Sequence, residues 1–172
     1  MSLLSRLMRT APDDRAPLRL LWSRIVAIAR EPQWYLRGGI ADTQEGRFDA
    51  LTMVLALVLI RMEGTPALAG PTARLTELFV EDMDGQMRQG GVGDLVVGKH
   101  IGKLMSTLGG RIGAYRAALA GSEDAVLVEA VQRNIGLTAN GDAAAIAAEM
   151  RVLAGALAGT SDTALLAGEI VR

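Results

Sequence analysis

The stretch Gly46–Met62, GRFDALTMVLALVLIRM, most limits what this chain can become. Phe48, Leu51, Val54, Leu55, Val58, Leu59 and Met62 recur at helical spacing, and further apolar residues fill most of the remaining circumference. A helix that is apolar nearly all round has no face to give to water, so it must run through the middle of a folded body. Leu55 and Val58 are therefore expected to be fully buried, with Arg47 and Asp49 at the helix's wetter start. Asp42 or Thr43 is placed to begin the helix, with Glu45 close enough to assist the cap. The chain has 172 residues, enough to wrap such a helix in one core.

The segments on either side also carry helical periodicity. Leu18–Arg30 places Leu21, Trp22, Ile25, Val26 and Ile28 on a broad apolar side, and Pro32 is expected to end it. Gln33–Ala41 reads as a loop in which Trp34 and Tyr35 either cover the core or anchor a partner. Pro71 suits the first turn of a helix running to about Gln89. A long helix is expected from Asp94 to about Ala120. Its Gly98, Gly102, Gly109 and Gly113 weaken it by about 1 kcal/mol each, a cost that close packing of a neighbouring helix would offset. Ser122 suits the N-cap of a helix over Glu123–Ile135, and Asp142 begins an alanine-rich helix to about Leu157. Leu165, Leu166 and Ile170 mark one last short segment. No strand signal, long-period repeat or second domain stands out. The expected fold is all-α, a single irregular helical domain of about six or seven helices with a long helical hairpin. An N-terminal segment over residues 1–17 is followed by the helical domain over 18–172. In residues 1–11, Leu3, Leu4, Leu7 and Met8 fall opposite Arg6 and Arg9, an amphipathic pattern able to touch a membrane surface or to dock on the body.

The polar residues concentrate in the hairpin. Asp82 and Asp84 lie in the last turns of its first arm, and Arg88 stands four residues beyond Asp84, a spacing that lets the two meet. Gly90-Gly91 can close the turn. Asp94 is placed as the N-cap of the second arm. Lys99 and Lys103 share one face of that arm, and Arg111 is expected near the same face. Such charges can cap helices and fix a hairpin angle, or they can form a recognition corner for another protein; Arg111 can also be buried against an acid on a facing helix.

Several chemistries are excluded. There is no cysteine, so disulfides, thiolate catalysis and Cys-based zinc sites are absent. His100 is the only histidine, too few for a multi-His metal site. GGVGDL lacks a preceding strand and carries Asp94 where a phosphate would sit, so it is no phosphate loop. A formal net charge of −1 argues against a dedicated nucleic-acid binder. The longest charge-free apolar run, Ala50–Ile60, is too short to span a bilayer. The first ten residues make a poor secretion signal, which leaves the cytoplasm, with peripheral contact at the inner membrane, as the expected location.

Four blocks resemble the ubiquinol–cytochrome c chaperone family. They are AREPQWYLRGGIADT (Ala29–Thr43), GRFDAL (Gly46–Leu51), LFVEDMDGQMRQGGVGDLVVGK (Leu78–Lys99) and GRIGAYRAAL (Gly110–Leu119). The third, similar to the family's F-x-D-M-D-x-x-L-R-x-x-G-V-G-D-L, is the most specific. The match spans about residues 18–120, and the last 50 residues match only in being helical. The resemblance implies an all-α, non-enzymatic assembly factor with no cofactor. Its expected client is nascent or newly inserted cytochrome b, and the ribosome or a small partner protein is a further expected contact. The corresponding partner-binding candidates are Asp82, Asp84, Arg88, Asp94, Lys99 and Arg111, with Trp34, Tyr35, Arg47 and Asp49 as a second surface. The alternative is a haem- or small-molecule-handling protein using His100 or one of eight methionines, although methionines at helical spacing ordinarily serve the core.

Overall fold

The computed structural model describes residues 16–89 and 94–172, and side chains from Pro17 to Gln89 and from Gly98 onward. Among these residues lie six α-helices of eleven residues or more and two single-turn ones. In chain order they are α1 (Arg19–Ala29), α2 (Pro32–Leu36), α3 (Gln44–Glu63), α4 (Ala69–Gln89), α5 (Asp94–Ala120), α6 (Asp124–Asn134), α7 (Ala143–Gly159) and α8 (Asp162–Leu166). Short 3-10 turns precede α1 and α4. The domain is all-α, as its composition implies. The amphipathic reading of residues 1–11 and the Gly90–Gly93 turn lie outside the described residues.

α3 is the centre. Met53, Val54, Leu55, Ala56, Val58 and Met62 are fully enclosed, and α1, α4, α5 and α7 all pack on this one helix. Thr43 caps it, its hydroxyl accepting from Gly46 N at 3.1 Å. α1 joins α4 through an edge-to-face contact of Trp22 and Phe79, ring centroids 6.2 Å apart. α4 and α5 form the long hairpin, and α6 packs between α5 and α7.

Three local expectations change. Pro32 does not stop α1, which has already ended at Ala29; it opens α2, where its missing N–H costs nothing. The supposed loop thus begins with a helical turn that holds Trp34. Ser122 is not the cap of α6, which starts at Asp124 with Glu123 before it and no side-chain cap. Among the described residues no neighbouring helix packs on the glycines of α5, since a Cβ built at Gly98, Gly102, Gly109 or Gly113 would meet nothing within 4 Å.

The glycine pair after α2 does serve close approach. A Cβ on Gly38 would fall 2.5 Å from Ile146 Cγ1, and one on Gly39, where φ is +72°, would fall 2.4 Å from Gly141 Cα. The two backbones therefore meet directly: Thr138 N donates to Gly39 O at 2.8 Å and Asp142 N to Gly38 O at 2.9 Å. This clasp ties the segment before α3 to the start of α7. Asp142 caps α7 by accepting from Ala144 N and Ala145 N.

Candidate functional site

The hairpin corner divides into an exposed tip and a buried junction. At the tip, Arg88 Nε donates to Asp84 Oδ2 at 2.7 Å, the expected pairing four residues apart along α4. Asp82 accepts from Gln86 Nε2 at 3.2 Å. Across the hairpin, Lys99, His100 and Lys103 are exposed on α5. α5 begins at Asp94, whose side chain and cap reading lie outside the described residues.

Arg111 does not belong to that tip. It is 6% exposed and faces inward, away from the lysines. Eight residues after Lys103 the helix has turned by about 80° beyond two full turns, which suffices to carry Arg111 from surface to core. There Nη2 donates to Asp49 Oδ1 at 2.5 Å and to Asn134 O at 2.6 Å, and Nη1 donates to Thr52 Oγ1. The guanidinium also lies 5.7 Å from the Phe48 ring centroid. Asp49 is likewise mostly buried, with Oδ2 accepting from Gly136 N at 2.9 Å. Arg111 and Asp49 thus lock α3, α5 and α6 together, and the expectation that Asp49 lies on an exposed helix start is corrected. A buried ion pair persists only when its remaining polar atoms are matched, and here helix-end carbonyl and hydroxyl groups do most of that matching. Among the described residues the Arg111 Nε and, one turn on, the Tyr115 hydroxyl have no hydrogen-bond partner. Burial pushes the Tyr115 phenol well above its ordinary pKa.

The second surface also separates. Trp34 is fully buried, its indole Nε1 donating to Ile28 O at 2.7 Å, so it covers the core and offers no exposed anchor. Tyr35 is half-buried and donates to Ala29 O at 2.9 Å. Burial raises its phenol pKa, and the nearby Asp42 charge adds to the effect. Arg47 is exposed and donates to Asp42 Oδ1 at 2.7 Å. That hydrogen bond holds the Asp42 carboxyl below its ordinary range. Among the described residues, then, the exposed candidates are Arg88, Lys99 and Arg47, with Asp82 and Asp84 half-exposed.

Sequence reasoning missed a set of arginines that bind helix ends. Arg61 donates to Leu157 O at 3.0 Å and Thr160 O at 2.9 Å, at the end of α7, and to Asp162. Arg151 reaches Gly121 O at 3.2 Å, just past the end of α5, and Asp124 at 2.6 Å. Arg111 does the same for α6. The last carbonyls of a helix lack internal partners and carry partial negative charge, so a forked cation there satisfies both needs. The available signal was a lone arginine inside an apolar run, as in LVLIRM or LGGRIG. Among the described residues no group of three or more potential metal ligands comes together, and no helix is long and apolar enough to cross a membrane.

The described residues form an all-α body built on one enclosed helix, with Arg88, Lys99 and Lys103 of the hairpin arms in solvent. The chain belongs to the ubiquinol–cytochrome c chaperone family, whose model matches residues 37–172. The match includes the last 50 residues, so kinship extends beyond the four blocks read from the sequence. The fold is also similar to the crystal structure of the Cbp3 homolog from Brucella abortus: TM-score 0.81, 33% identity, covering 99% of this chain and 96% of that one. Among curated proteins, none matches. Membership carries a role as an assembly chaperone for the ubiquinol–cytochrome c reductase complex, and this family implies a non-enzymatic one.

Proposed function

We propose that this chain binds newly made cytochrome b during assembly of the ubiquinol–cytochrome c reductase complex, through the exposed tip of the α4–α5 hairpin. Family membership supports the assembly role. The observation that carries the choice of surface is the separation at the corner: Arg111 and Asp49 are committed to the core, while Asp84, Arg88 and Lys99 remain at the surface within the most family-specific block. Acid on one arm and base on the other suit a polar loop at the edge of a membrane protein better than its apolar helices. Such work belongs at the cytoplasmic side of the inner membrane, in peripheral contact with it.

Charge reversal tests this reading. Asp84→Lys and Lys99→Glu stand on exposed or half-exposed positions, and surface changes ordinarily shift stability by within about 0.5 kcal/mol. At an interface they place like charges together. Cells carrying either variant as the sole copy are expected to accumulate less cytochrome b while the variant itself melts normally. Normal cytochrome b levels with both variants would move the binding face to Tyr35 and Arg47.

A further inference from the structure

After α8 the chain turns at Gly168, where φ is +75° and a Cβ would fall 2.8 Å from Leu20 O. The segment that follows has no helix and is held at two points. Ile170 is buried, and its carbonyl accepts from Arg24 Nε at 3.2 Å and Nη2 at 2.8 Å. Val171 points into solvent. The Arg172 side chain is only 7% exposed: Nη1 donates to Glu31 Oε2 at 2.8 Å, Nη2 to Glu149 Oε2 at 2.8 Å, and Cζ lies 5.0 Å from the Trp34 ring centroid.

Glu31, Trp34 and Glu149 form a cage around the Arg172 side chain, and each has a partner outside the tail. Trp34 is fixed by its bond to Ile28 O. Glu31 also accepts from Gln33 Nε2 at 2.8 Å, and Glu149 from Arg37 Nη1 at 3.4 Å. An aromatic face with two carboxylates at its rim matches a planar, forked cation better than a point charge. Among the described residues beyond Ile170, Arg172 supplies the side-chain bonds that hold the segment. Glu169 and Val171 also line a groove of about 460 Å³ together with Ala156, Thr160 and Ala164.

We propose that Glu31, Trp34 and Glu149 form a receptor for an arginine side chain, that Arg172 occupies it as an intramolecular ligand, and that an arginine in an extended segment of a partner protein takes its place. The receptor uses none of the hairpin residues assigned to cytochrome b and stands whether or not that assignment holds.

The test uses the full chain with Trp22→Phe, which leaves Trp34 as the sole indole. Arg172→Ala should raise the acrylamide quenching constant of Trp34 several-fold with the far-UV circular dichroism unchanged. Arginine amide added in the millimolar range should reverse the rise, lysine amide less so. The hexapeptide Ala-Gly-Glu-Ile-Val-Arg should act at lower concentration than arginine amide, and the same peptide ending in alanine should not act. Glu149→Gln, which keeps the volume, should give a smaller rise. Quenching that stays at the parent level in Arg172→Ala, or a rise that arginine amide does not reverse, overturns the receptor. A hexapeptide no better than its alanine control overturns the partner segment. Loss of helix in both variants also overturns the proposal, because the tail would then be part of the core and could not be exchanged.

Discussion

Arg111 and Tyr115 stand one turn apart on α5, and each makes a residue-scale prediction. Arg111→Ala removes the ion-pair partner of Asp49 and uncaps the end of α6. Breaking one side of a buried pair costs about 3–5 kcal/mol, so the urea midpoint should fall steeply with the slope unchanged. Arg111→Lys should recover part of the loss, because an ammonium can pair with Asp49 but cannot reach Thr52 and Asn134 O at once. For Tyr115 the sign runs through alkaline pH. Burial raises the folded phenol above the ordinary value of 10.0, while the unfolded chain ionises near that value. The unfolded state therefore binds fewer protons above about pH 10, and stability falls as pH rises from there towards the folded value. Tyr115→Phe should flatten that decline by up to about 1.4 kcal/mol per pH unit. At neutral pH it should be neutral or stabilising, because the hydroxyl it removes has no partner among the described residues. Guanidine titrations at pH 7 and above pH 10 read both effects. The sequence left open whether Arg111 was a surface or a buried residue. Periodicity relative to Lys103 placed it within 80° of the surface face, and only the position of Asp49 on the facing helix resolves the choice.

At the scale of elements, α3, α4 and α5 were legible because long apolar periods, Thr43 and Pro71 mark them from within. The long hairpin followed from the glycine cluster between two such periods. α2 was not legible: five residues carry too short a period, and the same proline that forbids continuing one helix favours starting the next. The glycines of α5 fit the spacing of a packing device, but no neighbouring helix among the described residues approaches them. Gly113 is exposed with open space at its missing Cβ, so Gly113→Ala should stabilise the isolated protein by up to about 1 kcal/mol, the propensity difference alone. A rise in melting temperature checks this. Unchanged or lower stability would mean that an alanine methyl meets something on this face, contrary to the open space found there.

For the whole molecule, α3 decides whether the chain behaves as one body. It contacts α1, α4, α5 and α7, and these joints are mostly apolar, with Arg111 and Arg61 holding helix ends at the rim. Leu55 lies at its middle and is fully buried, as is Val58, in keeping with a circumference that is apolar nearly all round. Leu55→Ala removes contacts that several helices share, and truncating a buried leucine costs about 2–5 kcal/mol. Because the helices meet on the same element, the loss should lower one transition rather than detach one part. Circular dichroism at 222 nm and tryptophan fluorescence should then report the same reduced midpoint, since Trp22 on α1 and Trp34 on α2 are packed into the same core as Leu55. Two separated midpoints would show that the α6–α8 part folds independently of α3. The Gly38–Gly39 clasp to Gly141 and the Arg61 bonds to the end of α7 argue for a single transition, because both must break before that part can leave.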